Sequence, residues 1–316
     1  MVVRSILTDE TGAARLKPME RRVLDIAEGQ RHLSKRRGSL AVVKDPDTPQ
    51  TTQVLIPFDE IESVVVHSPQ ATYSNSALVE LARRGIPLVC CDKTHMPAAW
   101  LWPVRANFEQ SRRMAAQAAL PEDLRDALWA KLVRAKIEAQ ASVIRDEGFV
   151  NDALLDFADS VRPGDSKNAE AQAARLYWKL LFDDVFRRHR HGVPPNGLLN
   201  YGYAVLCATV ARHICAAGLH PSLGLHHHNR FDAYCLADDL MEPFRPSVDR
   251  TVLSLWRTGH QHVTPETKPV LASVLAENMS FDGQAVPLSR CVERSAQSLA
   301  QSVIEREDRL RLPSTG

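Results

Sequence analysis

The rhythm of apolar and polar positions changes once along the chain. Up to about residue 103 the apolar residues come in short runs. Residues 23–26, 39–43 and 53–57 are such runs, broken by Gly29, Gly38 and a loop holding Pro46 and Pro49, which predicts strands. Residues 61–67 are a β-branched run without alternation, as expected of a strand covered on both faces. Residues 75–86 switch to helical spacing, with Leu78, Leu81 and Ala82 on one side and Asn75 as the cap. Gly85 ends that helix, and 87–91 reads as another buried strand. From about residue 107 the spacing is helical, with candidates at 107–118, 121–145, 169–188, 197–217, 233–242, 246–257, 268–278 and 289–310. Pro121, Glu122 and Asp123 make a favourable first turn at the positive end of the helix dipole. The fold class expected is α+β: a β-rich domain over 19–103, then a larger all-α domain over 104–316. Residues 1–18 show no periodicity and are set apart as an extension of unclear order.

Composition adds little to this picture. With 316 residues and 44% hydrophobic residues, the chain can bury a sizeable core and has the length of roughly two domains. Lys and Arg number 39 against 38 Asp and Glu, a formal charge of +1. Any surface for a polyanion is therefore a local patch in a neutral average. The six cysteines form no C-x-x-C pair and read as small buried hydrophobes. The longest stretch free of charged residues and histidine, 192–211, holds two prolines and two asparagines, so no membrane span is expected. A cytoplasmic protein is the expectation.

Neither a phosphate loop nor a G-x-G-x-x-G turn is present, which argues against nucleotide hydrolysis or a dinucleotide cofactor. The chemistry-bearing residues are acids and histidines in the helical region. Glu170 lies in an Ala-rich helix start. The run Gly224-Leu-His-His-His-Asn-Arg-Phe231 leads into Leu236-Ala-Asp-Asp-Leu-Met-Glu-Pro-Phe-Arg-Pro246. Asp238 and Asp239 lie four and three residues before Glu242, so one helical face can present paired carboxylates, and Pro243 closes the turn that aims Glu242. Carboxylates with one imidazole suit Mg²⁺ or Mn²⁺. The plain reading of the same residues is a solvated acidic face and a surface histidine loop, and spacing alone does not overturn it.

Five segments, however, closely resemble the CRISPR-associated adaptation integrases, the endonuclease-like subunits that insert new spacers into CRISPR arrays. They are Glu170-x-x-x-Ala-Arg175-x-Tyr177, Asn196-x-Leu-Leu-Asn-Tyr-Gly-Tyr203, Gly218-Leu-His-Pro221, His227, and Asp239-Leu-Met-Glu-Pro-Phe-Arg-Pro-x-x-Asp249. Leu24-Asp-Ile-Ala-Glu28, Arg31-His-Leu-Ser34 and Gly85-Ile-Pro-Leu-Val89 resemble the type II subgroup. The resemblance spans about residues 20–255. It implies a small β-sandwich-like domain followed by an all-α catalytic domain. It also implies metal-assisted transesterification, in which the 3′-hydroxyl of a captured DNA fragment attacks a repeat boundary. The family's metal ligands, also its catalytic residues, fall on Glu170, His227 and Glu242. Asp239 matches an auxiliary acid that holds water or supports a ligand from behind. The fifteen-residue separation from Glu242 favours His227 over His226 and His228. The implied partners are double-stranded DNA, a second copy in a homodimer, and a small ferredoxin-like adaptation subunit; the implied cofactor is Mg²⁺ or Mn²⁺.

Other residues keep two readings each. Arg175 is a phosphate contact or the anchor of a buried carboxylate. Arg187, Arg188 and Arg190, with His189 and His191, are a solvated helix end or a grip on the DNA backbone. Tyr201 and Tyr203 read as packing residues whose hydroxyls find a partner, and Arg245 as a structural partner of Asp239 or Asp249. Two other classes fit parts of the same pattern: a non-catalytic DNA-binding scaffold of the same fold, and an unrelated metal-dependent phosphoesterase. The set of three ligand-type residues argues against the first, and the family motifs away from that set argue against the second.

Overall fold

The computed structural model describes residues 22–314 apart from 27–28, 47, 49–50, 93–96, 102–108 and 183–184. The extension at 1–18 and the expected boundary at 103/104 lie outside the described residues. Strands come first: β1 (Arg22–Ile26), β2 (Arg31–Arg36), β3 (Ser39–Lys44), β4 (Thr52–Pro57), β5 (Ile61–Val66) and β6 (Ala71–Tyr73). Helix α1 (Asn75–Arg83) precedes β7 (Leu88–Cys91) and β8 (Pro97–Leu101). One sheet has the order β1-β5-β7-β8, parallel except for the antiparallel β7–β8 pair. The other has the order β4-β3-β2-β6, antiparallel except for β2–β6. Leu33, Leu40 and Ile56 of the second sheet share a core with Ile26, Ile61, Val64 and Leu88 of the first, and Ala77 and Leu81 of α1 join them. Val64, Val65 and Val66 are all buried, because the core shared with the second sheet covers one face of β5 and α6 lies against the strand as well.

Two details of this half differ from the sequence reading. The cap of α1 is Ser74, whose Oγ accepts from the Ala77 amide at 3.3 Å, not Asn75. Strands β2, β6 and β8 were not foreseen. Only Leu33 of β2 is fully buried, and β6 is three residues long, so neither shows a usable period.

The second half is helical: α2 (Gln110–Ala118), α3 (Glu122–Asp146), α4 (Asp152–Ser160), α5 (Ala169–Leu181), α6 (Asn196–Ala216), α7 (Cys235–Met241), α8 (Arg245–Arg257) and α9 (Thr267–Ser273). A hairpin of β9 (Asn278–Phe281) and β10 (Gln284–Pro287) follows, then α10 (Leu288–Glu305). Helix α6 is buried on nearly every side. Gly202 lets α8 close on it, since a Cβ there would overlap Val248 Cγ1. The sheet is tied to this core at Asp25, which accepts from the Tyr201 hydroxyl at 3.0 Å and lies 3.6 Å from Lys268 Nζ. Among the described residues no helix is long and apolar enough to cross a membrane.

Helix α5 stops at Leu181 instead of reaching residue 188, so the basic run 187–191 is a loop. Two amides at the start of α6 hold it. Asn196 accepts from the His189 amide at 2.9 Å and donates to the Arg187 carbonyl at 3.0 Å, while Asn200 donates to the Arg190 carbonyl at 2.8 Å.

Glu80 on α1 is buried and takes Lys35 at 2.8 Å and Arg83 and Arg84 at 2.6 Å each. Hydrogen bonds from Arg83, Lys35 and Arg84 outweigh burial and hold its carboxyl far below the ordinary 4.5. Glu80→Gln should cost about 1.5–3 kcal/mol at pH 7, the range for hydrogen bonds to charged groups. A depressed carboxyl stabilises the fold above its unfolded value and loses that contribution as pH falls through the folded one. The gap between parent and variant in urea midpoint should therefore narrow as the pH is lowered below 4.5.

Candidate active site

Helix α3 forms the floor of the site. Its buried stripe runs Trp129, Leu132, Val133, Lys136, Ile137 and Gln140, placing a lysine where the helical period calls for an apolar residue. Lys136 and Trp129 are seven residues apart and so lie on one face.

Glu170 reaches this floor from the first turn of α5. Buried Asp165 accepts from the Ala169 amide at 2.8 Å and the Glu170 amide at 3.0 Å, satisfying the open donors of the helix end and fixing its direction. Glu242 arrives from the opposite side. Helix α7 ends at Met241 and a 3₁₀ turn, Glu242–Phe244, follows with Pro243 inside it. Lys136 Nζ lies 2.5 Å from Glu170 Oε1 and 2.5 Å from Glu242 Oε2. Arg245 Nε lies 3.0 Å from Glu242 Oε1. Burial alone would raise the Glu242 carboxyl, but Arg245 and Lys136 outweigh it and hold it below the ordinary range. Burial likewise pulls Lys136 down, and Glu242 and Glu170 return it above its ordinary value.

Arg245 is held in turn. Its guanidinium stacks over the Tyr203 ring at 4.8 Å. The Tyr203 hydroxyl donates to Asp249 at 2.5 Å, and Tyr177 of α5 donates to the other oxygen at 3.0 Å. Burial pushes Asp249 up to about 6, against the pull of Tyr203 and Tyr177.

The histidine triplet is built around Asp239, which is fully buried. Asp239 Oδ2 accepts from the amides of Leu225 at 2.6 Å and His226 at 3.0 Å; Oδ1 accepts from the His227 amide at 3.3 Å and meets His227 Nδ1 at 2.6 Å. Gly224 makes the wrap possible, since a Cβ there would stand 2.9 Å from both Asp239 Oδ2 and Cys235 Cβ. His226 stacks on the Trp129 indole, with centroids 4.4 Å apart and planes 4° apart, and His227 meets the same indole edge-on at 5.7 Å. With Nδ1 taken by Asp239, Nε2 is the nitrogen His227 has for a ligand. The hydrogen bond to Asp239, against burial, raises the His227 pKa above 6.5, and the charges of Asp239 and Glu242 add to it.

The structure thus brings Glu170 and Glu242 onto one cation and sets His227 against Asp239. Asp239 does not share an open face with Glu242, as helical spacing suggested; it stands behind the imidazole, because the helix ends before Glu242. Arg245 pairs with Glu242, and with Asp238 at 3.9 Å, not with Asp239 or Asp249. Arg175, Arg187 and Arg190 are exposed. Arg188 turns inward to Asn196 at 3.0 Å, Asn200 at 2.9 Å and the Tyr203 ring. Lys136 and Trp129 escaped the sequence reading, although a lysine within an apolar stripe was a visible signal. Among the described residues no three of His, Cys, Asp and Glu converge into a ready metal cage. The position between the two carboxylates is filled by the ammonium of Lys136.

The model of the family described as CRISPR associated protein Cas1 matches residues 24–271. The chain belongs to the Cas1 family. A CRISPR-associated endonuclease Cas1 of Neisseria meningitidis serogroup C is 33% identical over 265 residues, covering 82% of this chain and 86% of the relative. The type II resemblance is consistent with that match. A Cas1 endonuclease of Francisella tularensis subsp. novicida is 25% identical, covering 88% and 94%. In fold, the chain resembles a casposase bound to integration product, with a TM-score of 0.77 at 18% identity and 92% coverage of both chains. It also resembles a Cas1 protein from Thermotoga maritima, with a TM-score of 0.71 at 16% identity, covering 93% of this chain and 99% of that one. A chain of a Cas6-RT-Cas1–Cas2 complex matches at 0.74 and 18% identity, with 95% of this chain and 36% of that one covered. The β-then-α architecture is therefore the Cas1 fold.

Asp239→Asn should return the His227 ring towards its ordinary titration, read from its Cε1 proton by NMR in chelator. A raised histidine stabilises the fold fully below its unfolded value, and that contribution is lost as pH rises through the folded one. The stability gap between parent and variant should therefore be widest in acid and close on the alkaline side. Gly224→Ala should displace the same loop and abolish the raised titration.

Proposed function

We propose that this chain is a divalent-metal-dependent DNA integrase and endonuclease of CRISPR adaptation, acting in the cytoplasm. It joins the 3′-hydroxyl ends of captured fragments to the repeat of an array. The observation that carries this reading is the convergence of Glu170 and Glu242 on a single positive charge, beside an imidazole backed by Asp239. Two carboxylates, one of them the buried Glu242 whose Oε2 faces the Lys136 ammonium at 2.5 Å, and an imidazole oriented by an acid make a donor set that fits Mg²⁺ or Mn²⁺. Glu170, Glu242 and His227 through Nε2 would hold the ion. When bound, it supplies Lewis-acid charge that activates the attacking hydroxyl and offsets charge growing on the phosphate.

The chain's own residues do the rest. Asp239 fixes the face and tautomer of His227. Arg245, braced on Tyr203, keeps Glu242 ionised and aimed. Trp129 carries His226 and closes one side of the site with an apolar wall. One phosphodiester bond breaks as another forms, so the exchange needs no ATP; water in place of the hydroxyl would give hydrolysis. Support for DNA as substrate comes from family membership and from the fold shared with a casposase bound to integration product. Support for a small Cas2-type, ferredoxin-like partner comes from the Cas1–Cas2 complex of the same fold, and the homodimer follows from the family reading. Arg175, Arg187 and Arg190 are the exposed cations read here as contacts to the DNA backbone.

Alanine at Glu170, His227 or Glu242 should lower strand transfer by ~10²–10³ or more, the scale of losing one electrostatic contact to a transition state. Asp239→Ala should cost roughly 10–100-fold, and His226→Ala and His228→Ala less. The assay is gel-resolved integration of a fluorescent fragment into a repeat plasmid, with Mg²⁺ or Mn²⁺ and with EDTA. Full activity of Glu170→Ala, or activity in EDTA, would reject the mechanism.

Duplex binding should weaken steeply with salt. Arg187→Ala and Arg190→Ala should each flatten that slope by about one unit, whereas Arg188→Ala should lower thermal stability. Binding by the parent that is insensitive to salt would contradict a phosphate-gripping patch.

A further inference from the structure

The cation between the two carboxylates belongs to the protein. Lys136 sits on α3, a helix outside the family motifs, with its side chain only 10% exposed. Its ammonium holds Glu170 Oε1 and Glu242 Oε2 within about 5 Å of each other, a separation at which two ionised oxygens repel strongly in a site of low polarity. A divalent ion ~2.1 Å from each oxygen would draw the same two oxygens in to about 4 Å or less. The ammonium and the ion therefore compete for one position and one pair of ligands.

We propose that Lys136 is a resident counter-cation: it holds Glu170 and Glu242 together while no divalent ion is bound, and the ion gains them only by displacing its ammonium. This rests on the reading that Glu170, His227 and Glu242 are the ligands. Metal binding is then an exchange of one cation for another. Lys136 keeps the metal-free site assembled, and it weakens the apparent affinity for the ion. Removing it should loosen the metal-free fold and tighten metal binding together. A lysine that merely stabilised the helix packing would do only the first.

The test uses the full chain stripped with EDTA. Mn²⁺ binding is read from the free-ion EPR signal, and Tm is read with and without Mn²⁺. Lys136→Met should lower the metal-free Tm, bind Mn²⁺ about tenfold more tightly, a typical size for coupling between two ligands, and gain more Tm from Mn²⁺ than the parent does. Lys136→Gln, which keeps a hydrogen-bond donor without the charge, should shift affinity in the same direction if the Met variant does not fold. Unchanged or weaker Mn²⁺ binding in a folded variant would overturn the exchange. Glu242→Gln separates the two readings. If it abolishes binding while the Lys136 variants leave affinity unchanged, the exchange alone fails. If it binds Mn²⁺ like the parent, the ligand assignment fails and the exchange falls with it.

Discussion

Two carboxylates brought together out of water need a positive charge between them, and the helical half of this protein is arranged around that need. Buried Glu242 stays ionised on the charges of Arg245 and Lys136, and Lys136 stays charged within an apolar stripe because Glu242 and Glu170 face it. The interaction continues around a closed circuit. Glu242 takes Arg245, Arg245 stacks on Tyr203, and Tyr203 donates to Asp249. Asp249 also accepts from Tyr177, which lies on the same helix as Glu170. Four helices and a 3₁₀ turn are thereby locked in register by side chains that each need the next. A buried polar network of this kind is costly when half satisfied and rigid when complete, so the carboxylate geometry follows from the whole circuit and not from local helix spacing.

The imidazole is positioned by separate means. Asp239 gathers the backbone of 225–227 as a helix cap gathers its first turn, and the same oxygen that takes the His227 amide takes its ring. Trp129 supplies a flat surface for His226 and an edge contact for His227. Circuit and histidine loop meet along the chain, where α7 with Asp239 runs into the turn of Glu242, and across α3, where Trp129 and Lys136 stand two turns apart. That helix sets the distance between the imidazole and the carboxylates. Its contribution is easily overlooked, because a floor is made mostly of the apolar residues any buried helix carries.

Legibility followed the same physics. Helices with a strong apolar face and the doubly covered β5 were visible in the sequence, because burial writes a period. Strand β2 was not, since a mostly polar strand with one fully buried leucine carries no period, and α4, Asp152–Ser160, passed as connection between longer helices. The β9–β10 hairpin fell between the helices expected at 268–278 and 289–310, although Asp282-Gly283, both at positive φ, is a strong hairpin signal. The basic run 187–191 was read as helix because charge clusters suit helix ends; the side chains of Asn196 and Asn200, which turn it into a loop, act from beyond it. At the site, the family resemblance named Glu170, His227, Glu242 and Asp239. The cation joining two of them depends on contacts 34 and 106 residues farther along the chain, which no local pattern encodes.

The charge balance of the finished site ties the two halves of the chemistry together. Glu170 and Glu242 carry two negative charges, and Lys136 and Arg245 two positive ones, so the metal-free cluster is formally neutral and offers a phosphodiester little attraction. On the proposed reading the ion brings two further positive charges while Lys136 stays on its helix nearby. The cluster then becomes cationic at the place where a phosphate must sit. Affinity for the ion and affinity for DNA are coupled by this arithmetic, and the coupling is reciprocal: a bound phosphate favours the ion as much as the ion favours the phosphate. On that reading a chain with an overall charge of only +1 would hold DNA selectively at the site where metal is present, because the attraction is created locally when the ion binds.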